Sequence, residues 1–306
     1  MTPTENEPGD KTSRKERSDV PKKASLDSSG SALRLPTLSE ADRIGVMGDL
    51  HGELDHAKLA LKMFADKGVN VIVQLGDFGV IWPGPAWQAD LEQLSQMLDE
   101  NEQMLYFLDG NHEFFPRLLE FPVNADGLRW VSHNIAHLPR GYRIQIGDGT
   151  RTLAVLGGAN SHDRQWRIAG ESWWPEEQIT DADLVALGTE TADILLGHDS
   201  PAGVHTRRGF GATTAEAEYA KESQTMFVRG MLQVRPKLTM GGHYHRHANA
   251  VMTMPADPPF ETRAVILDRD GASGISQAIL DSRTLELEFF YRDGRTAVRR
   301  PEEGQI

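Results

Sequence analysis

QMLYFLDGNHEFF, residues 103–115, runs five apolar residues together and then stops on Asp-Gly. An apolar run of this length, closed by a turn residue, reads as a buried strand. Directly after the stop come Asn111, His112 and Glu113. Four other stretches repeat the design: VMGDLHG (46–52), VQLGDFG (73–79), LLGHDS (195–200) and MGGHYH (240–245). Each is an apolar strand that meets a glycine and then Asp or His. Glycine permits a sharp exit from the strand and a close approach of backbone to a site. Helical spacing separates the first three strands, in LDHAKLALKMFADKG (54–68) and AWQADLEQLSQMLDEN (86–101). Strand–helix–strand alternation predicts parallel strands with crossover helices. In such an α/β sheet the C-terminal strand ends converge on one crevice, where ligands bind.

The alternation continues through RTLAVLGGA (151–159), a helix around 176–187, ADILLGHD (192–199), a helix around 214–232 and KLTMGGHYHRH (237–247). The chain then closes with strands such as TRAVILDRD (262–270) and TLELEFFYR (284–292). Residues 1–38 are polar, lack a hydrophobic period and read as a disordered tail. KTSRKER (11–17) within them offers a docking patch for a partner, or an ordinary solvated tail. The ordered domain is expected over 41–295, with a C-terminal tail over 296–306.

The chain has no cysteine, which excludes disulfides, thiolate zinc sites and a cysteine nucleophile. A metal site must therefore draw on His, Asp, Glu or Asn. The formal charge is −13. Seven basic and seven acidic residues cancel within residues 1–40, so the excess lies in 41–306. An acidic domain repels nucleic-acid backbones, which argues against a nuclease. No run approaches the ~18 apolar residues of a membrane span. The N-terminus lacks the apolar core of a secretory signal, so a cytoplasmic protein is expected.

Carboxylate, imidazole and amide oxygen at five strand ends suit divalent cations. The mixed nitrogen and oxygen set fits Mn, Fe, Zn or Ni better than Mg or Ca. Two such cations can bind a phosphate, lower the pKa of a shared water and offset the charge of an in-line displacement. One D-x-H alone is a chance match; five in order on strand ends are not.

The ordered set GDLHG (48–52), GD (76–77), GNHE (110–113), GH (197–198) and GHYH (242–245) resembles the calcineurin-like metallophosphoesterase superfamily. The resemblance spans about residues 43–295. It implies a two-sheet β-sandwich flanked by helices, in four layers α/β/β/α, with a dinuclear metal site. By that resemblance Asp49, His51 and His245 hold one metal and Asn111, His198 and His243 the other. Asp77 bridges both. His112 faces the substrate and supplies positive charge to a phosphate oxygen or a proton to the leaving group. Glu113 orients a histidine, or simply caps the turn.

The phosphoprotein phosphatase branch carries G-D-x-x-D-R-G at the second motif, where this chain reads GDFGVIW (76–82). Val80 stands at the second Asp, no Arg follows, and Asp109 stands where that branch has Arg before G-N-H. Asp109 is expected either to contact His112 or to form the turn. These departures favour a phosphodiesterase or phosphatase acting on a small phosphorylated molecule or nucleotide, with a phosphoprotein phosphatase as the alternative. A non-catalytic scaffold of the same fold would be marked by lost ligands, and none of the seven is lost.

GGANSHDRQWRIAGESWWPEEQ (157–178), with LDRDG (267–271) and LDSRTLE (280–286), resembles a bacterial and phage group of metallophosphoesterases. The first stretch follows a strand end and so borders the crevice. Asp163, Arg164 and Arg167 are candidates to bind phosphate or ribose, and Trp173 and Trp174 to stack a base. The opposing reading packs the two Trp under a loop and pairs Arg167 with a carboxylate such as Glu171. Trp82 is either a rim aromatic or core. His205, Arg207, Arg208 and His247 lie near motifs without matching a ligand position. His56, His133 and His137 carry no signal beyond that of an ordinary histidine.

Overall fold

The computed structural model describes residues 35–204, 214–298 and 301–303. The first half alternates β1 (Arg43–Met47), α1 (Leu54–Asp66), β2 (Val71–Gln74), α2 (Trp87–Glu100) and β3 (Met104–Phe107). Then come α3 (Phe115–Leu118), β4 (Arg129–Trp130), β5 (Ile135–His137), β6 (Arg143–Ile146), β7 (Arg151–Leu156), α4 (Asp181–Leu187) and β8 (Ile194–Gly197). The rest is α5 (Thr214–Val234), β9 (Leu238–Gly241), β10 (Ala248–Met254), β11 (Phe260–Ile266), β12 (Ile275–Asp281), β13 (Leu287–Tyr291), β14 (Thr296–Ala297) and β15 (Glu302–Glu303).

Two sheets result, in the orders β14-β13-β12-β1-β2-β3-β5-β4 and β15-β10-β11-β9-β8-β7-β6. In the first, β1, β2, β3 and β5 run parallel. In the second, β7, β8, β9 and β11 do. Antiparallel strands flank both parallel sets.

Both faces of each sheet are buried, which is why the parallel strands read as unbroken apolar runs. Successive side chains point to opposite faces. Tyr106 and Leu108 join Val73, Val155, Leu196 and Met240 in the core between the sheets. Leu105 and Phe107 turn outward onto Leu61, Phe64, Leu94 and Leu98 of α1 and α2. Ala154 and Leu156 turn outward onto Leu184, Phe227 and Met231 of α4 and α5. This is the expected α/β/β/α sandwich. In α1 the buried residues His56, Ala57, Ala60, Leu61 and Phe64 fall on one helical face. Thr180 and Asp183 form a reciprocal capping box that starts α4 five residues later than the reading around 176. Pro175–Glu177 form a 3₁₀ turn instead.

The expected ends of the domain shift. The tail over 1–34, with its docking patch, lies outside the described residues. Leu38, however, is buried in the core between the sheets, so order begins before residue 41. At the other end, Thr296–Ala297 pair with β13 and Glu302–Glu303 with β10. Two-residue strands leave too little periodicity to be recognised in sequence.

Candidate metal centre

Every residue singled out as a ligand follows the C-terminal end of a parallel strand. Asp49 and His51 follow β1, Asp77 follows β2, and Asn111 and His112 follow β3. His198 follows β8 directly, and His243 and His245 follow β9. Asp49, His51, Asp77 and His245 each offer one atom, and these atoms lie within 4.8 Å of one another. Within that group His51 Nε2 is 3.2 Å from Asp77 Oδ2, and His245 Nε2 is 3.3 Å from Asp49 Oδ2. The other oxygen of Asp77 faces a second group. Asp77 Oδ1 and Asn111 Oδ1 each lie 3.2 Å from His198 Nε2. The His243 ring is 5.1 Å from that of His198.

The backbone is bent hard to achieve this. His51, Asp77, His243 and His245 all have positive φ, between 48° and 68°. Left-handed conformations are uncommon for residues other than glycine and cost ~1–3 kcal/mol each unless the surroundings impose them. Here the surroundings do. The Leu50 and His51 amides donate to Asp77 O at 3.1 and 2.7 Å, and the His243 amide donates to Asp49 Oδ1 at 3.0 Å. Gly110 shows what the preceding glycine is for. A Cβ there would lie 2.3 Å from the Asp77 amide nitrogen.

Two histidines each have one ring nitrogen committed away from the site. His198 Nδ1 donates to Leu75 O at 2.7 Å, and His51 Nδ1 donates to Asp270 Oδ1 at 2.7 Å. In each ring Nε2 is left to face the site. Asp270 went unnoticed as a site residue in the sequence. It follows β11 as the ligands follow their strands, and its amide donates to Asp49 O at 2.9 Å.

The residues fit divalent cations. Asp77 Oδ2 is buried and meets no hydrogen-bond geometry. A buried carboxylate oxygen without a donor is costly unless a cation approaches it. Around His198 Nε2 two further acceptor oxygens crowd with no donor between them unless the imidazole is protonated. Burial opposes charge on His198, but Asp77 and Asp49 hold its pKa up at about 10. Burial likewise opposes charge on His51, yet Asp270 and Asp77 raise it to about 10. Asp77 is buried too, and His198 and His112 nevertheless hold it well below the carboxylate range. The site attracts positive charge from every side, and its nitrogen and oxygen donors include no sulfur.

His112 is half-buried, with its amide donating to Asp77 Oδ1 at 2.7 Å and its ring 5.2 Å from that of His51. Arg167 reaches it from the 157–178 stretch, with Nη2 against both ring nitrogens and 3.1 Å from Nδ1. The Arg167 side chain is only 6% exposed and pairs with a carboxylate, that of Asp163, at 2.6 Å. Burial lowers the His112 pKa to about 4 against the pull of Asp77, and Arg167 lowers it further.

Other expectations are corrected. Trp174 does not line the crevice for a base. It is buried against Phe114 at 5.2 Å and edge-on to Trp82 at 6.0 Å. The Arg164 guanidinium lies over Trp173 and Tyr219, at 4.4 and 4.5 Å. Asp109 bonds to His137 at 3.2 Å and Arg140 at 2.8 Å, away from His112. For Glu113 the contacts follow the capping alternative. Its carboxylate accepts from the amides of Phe78 at 2.7 Å and Gly110 at 3.4 Å, joining the loops that carry Asp77 and Asn111. Burial, with Asp77 nearby, raises its pKa to about 8. His162, unremarked in the sequence, stacks on His243 at 4.7 Å. His133 pairs with Asp99, and His247 bonds to Ile266 O. His205, Arg207 and Arg208 lie outside the described residues.

A family model described as calcineurin-like phosphoesterase matches residues 42–247. The crystal structure of the TT1561 protein of Thermus thermophilus is similar, with a TM-score of 0.50 at 15% identity over 82% of this chain and 99% of that one. A second crystal structure aligns with a TM-score of 0.53 at 12% identity, over 82% of this chain and 98% of that one. A Plasmodium protein, titled as the anchor in the inner membrane complex, aligns with a TM-score of 0.48 at 12% identity over 86% and 89%. These are likenesses of fold. No curated protein matches the chain in sequence. Among the described residues, no helix is long and apolar enough to cross a membrane.

Proposed function

We propose that this chain, which belongs to the calcineurin-like phosphoesterase family, hydrolyses a phosphoester of a small molecule or nucleotide with the help of two divalent cations. One observation carries this reading. Asp77 turns one carboxylate oxygen to His51 and the other to His198, each at 3.2 Å. Asp49, His51 and His245 would hold one cation, Asn111, His198 and His243 the other, and Asp77 both. The mixed donor set suits Mn, Fe, Zn or Ni. When bound, the two cations supply a nucleophile at neutral pH and offset the charge on the phosphoryl group.

The chain's own residues supply the rest. Asp270 and Leu75 O orient the rings of His51 and His198. Arg167 brings a fixed positive charge beside His112, where a phosphate oxygen would sit. Arg167 only donates, so one of the two ring nitrogens beside it must accept, and burial together with the guanidinium keeps His112 neutral. The negative charge of an arriving phosphate raises the proton affinity of that imidazole, which then takes a proton from solvent and can pass it to the leaving group. Val80, where a phosphoprotein phosphatase has Asp, is buried in the apolar layer under α1 and α2. That favours a diester over a phosphoprotein.

Reloading apoprotein with Mn, Ni, Zn or Mg tests the reading on bis-p-nitrophenyl phosphate and p-nitrophenyl phosphate. Cation-dependent turnover, faster on the diester, is the expected result. Faster turnover of the monoester would make the chain a phosphatase. Silence on both with two cations bound would return weight to a scaffold.

A further inference from the structure

An amide can face a site with either end. Asn111 places Oδ1 3.2 Å from His198 Nε2, and its Nδ2 donates to Ser161 Oγ at 3.2 Å. A serine hydroxyl accepts as readily as it donates. Ser161 therefore selects this orientation only if its own hydrogen is committed elsewhere, and it is. Ser161 Oγ donates to Glu177 Oε2 in a short bond. The other oxygen of Glu177 receives the Ser161 amide at 2.9 Å, Trp173 Nε1 at 2.8 Å and the Tyr219 hydroxyl at 2.9 Å. Burial pushes the Glu177 pKa up, but four donors converge on its two oxygens, a geometry that suits an ionised carboxylate, which only accepts. Hydrogen-bond direction thus runs one way, from Asn111 through Ser161 to Glu177. All three residues are buried, where water cannot substitute for a lost partner.

We propose that Glu177 and Ser161 are positioning residues that hold the Asn111 amide with its oxygen toward the second cation group. The proposal rests on the two-cation reading above. A reversed amide would set NH₂ hydrogens against His198 Nε2 and offer the cation no oxygen. Ser161 and Glu177 belong to GGANSHD and WWPEE, stretches whose place beside the site the ligand pattern leaves unexplained.

The test is calorimetric titration of Mn²⁺ into full-length apoprotein, with near-UV circular dichroism to confirm folding. The wild type is expected to take up two cations. Glu177→Gln keeps the shape but supplies a donor to Ser161, which frees the serine hydrogen to turn the amide over. One cation should then bind with wild-type affinity and the other ~10–100-fold more weakly. Asn111→Asp combined with Glu177→Gln should regain the second cation, because a carboxylate has no wrong end. Should Glu177→Gln fail to fold, Ser161→Ala gives the same reading and should weaken the same cation. Two wild-type affinities in Glu177→Gln and Ser161→Ala, or no recovery in the double variant, would overturn the relay. A wild type that binds fewer than two cations would instead overturn the two-cation reading, and the relay with it.

Discussion

Asp77 turns its two oxygens toward different imidazoles, each at 3.2 Å, and so faces both groups of candidate ligands. Asp77→Asn replaces an acceptor on one side with a donor and removes the charge that both groups share. Both cations are expected to be lost on dialysis, with turnover falling to background while the circular dichroism spectrum is unchanged. Retained activity would show that the carboxylate does not bridge. Asp270 acts one step further out, through His51 Nδ1. Asp270→Asn should weaken cation binding ~10–100-fold, because outer partners of a ligating imidazole typically carry that much. Unchanged Mn²⁺ affinity would reduce Asp270 to a loop contact. The contrast between these residues is also a contrast in legibility. Asp77 was readable because a glycine and an apolar strand precede it within a few residues. Asp270 lies 219 positions from His51, and no local spacing announces a partner so distant.

At the scale of elements, the loops after the strands are fitted to each other with little room. The Cβ of Gly110→Ala would meet Asp77 Oδ1 at 2.3 Å and His198 Nε2 at 2.9 Å. Relief requires moving a ligand, so Gly110→Ala should lower cation affinity and cost ~1–3 kcal/mol of stability by overpacking. A urea midpoint and a Mn²⁺ titration identical to wild type would contradict that packing. Behind the same loop, Asp109 ties the end of β3 to the 139–183 segment through Arg140, which also bonds Asp183 at 3.1 Å and Glu176 O at 2.7 Å. Asp109 is fully buried, yet Arg140 and His137 hold its pKa well below the carboxylate range. A depressed folded pKa means that its contribution is present above the unfolded value of ~3.9 and disappears as pH falls through the folded one. Asp109→Ala leaves Arg140, only 11% exposed, without its main partner and should cost ~2–4 kcal/mol at pH 7, toward the low side for a buried pair because Asp183 remains. The difference from wild type should shrink as the pH drops below ~3.9. A constant difference down to pH 2 would mean that the ion pair is not its source. The same segment shows where sequence reading misleads. Nothing in WWPEE says whether an indole packs or stacks a ligand. Phe114 and Trp82, brought up from other loops, decide it for Trp174.

For the whole molecule, the site is a seam. β1, β2 and β3 of one sheet deliver Asp49, His51, Asp77 and Asn111, while β8 and β9 of the other deliver His198, His243 and His245. The alternation of parallel strands and helices was legible because doubly buried strands must be apolar throughout and because each is soon followed by a glycine, whereas the four-layer sandwich came only with the resemblance of the five motifs to a known superfamily. The terminal strands β14 and β15, two residues each, were not legible. Either group of candidate ligands spans both sheets, so under the proposed function each cation would tie one sheet to the other and bind only where the native fold holds them together. Its effect on stability follows from mass action. Free cation at ~1,000-fold above Kd adds ~4 kcal/mol per site. At ~2–4 °C per kcal/mol for a chain of this size, each site should raise the melting temperature by roughly 8–16 °C. Stripping the protein with EDTA should lower the midpoint by that amount or more, and Mn²⁺ should restore it in a concentration-dependent way. The carboxylates left behind repel one another, so the loss should deepen at low ionic strength. A midpoint indifferent to EDTA, in protein shown to carry two cations beforehand, would mean that the unfolded chain binds them equally well. That would remove the claim that the cations join the two sheets.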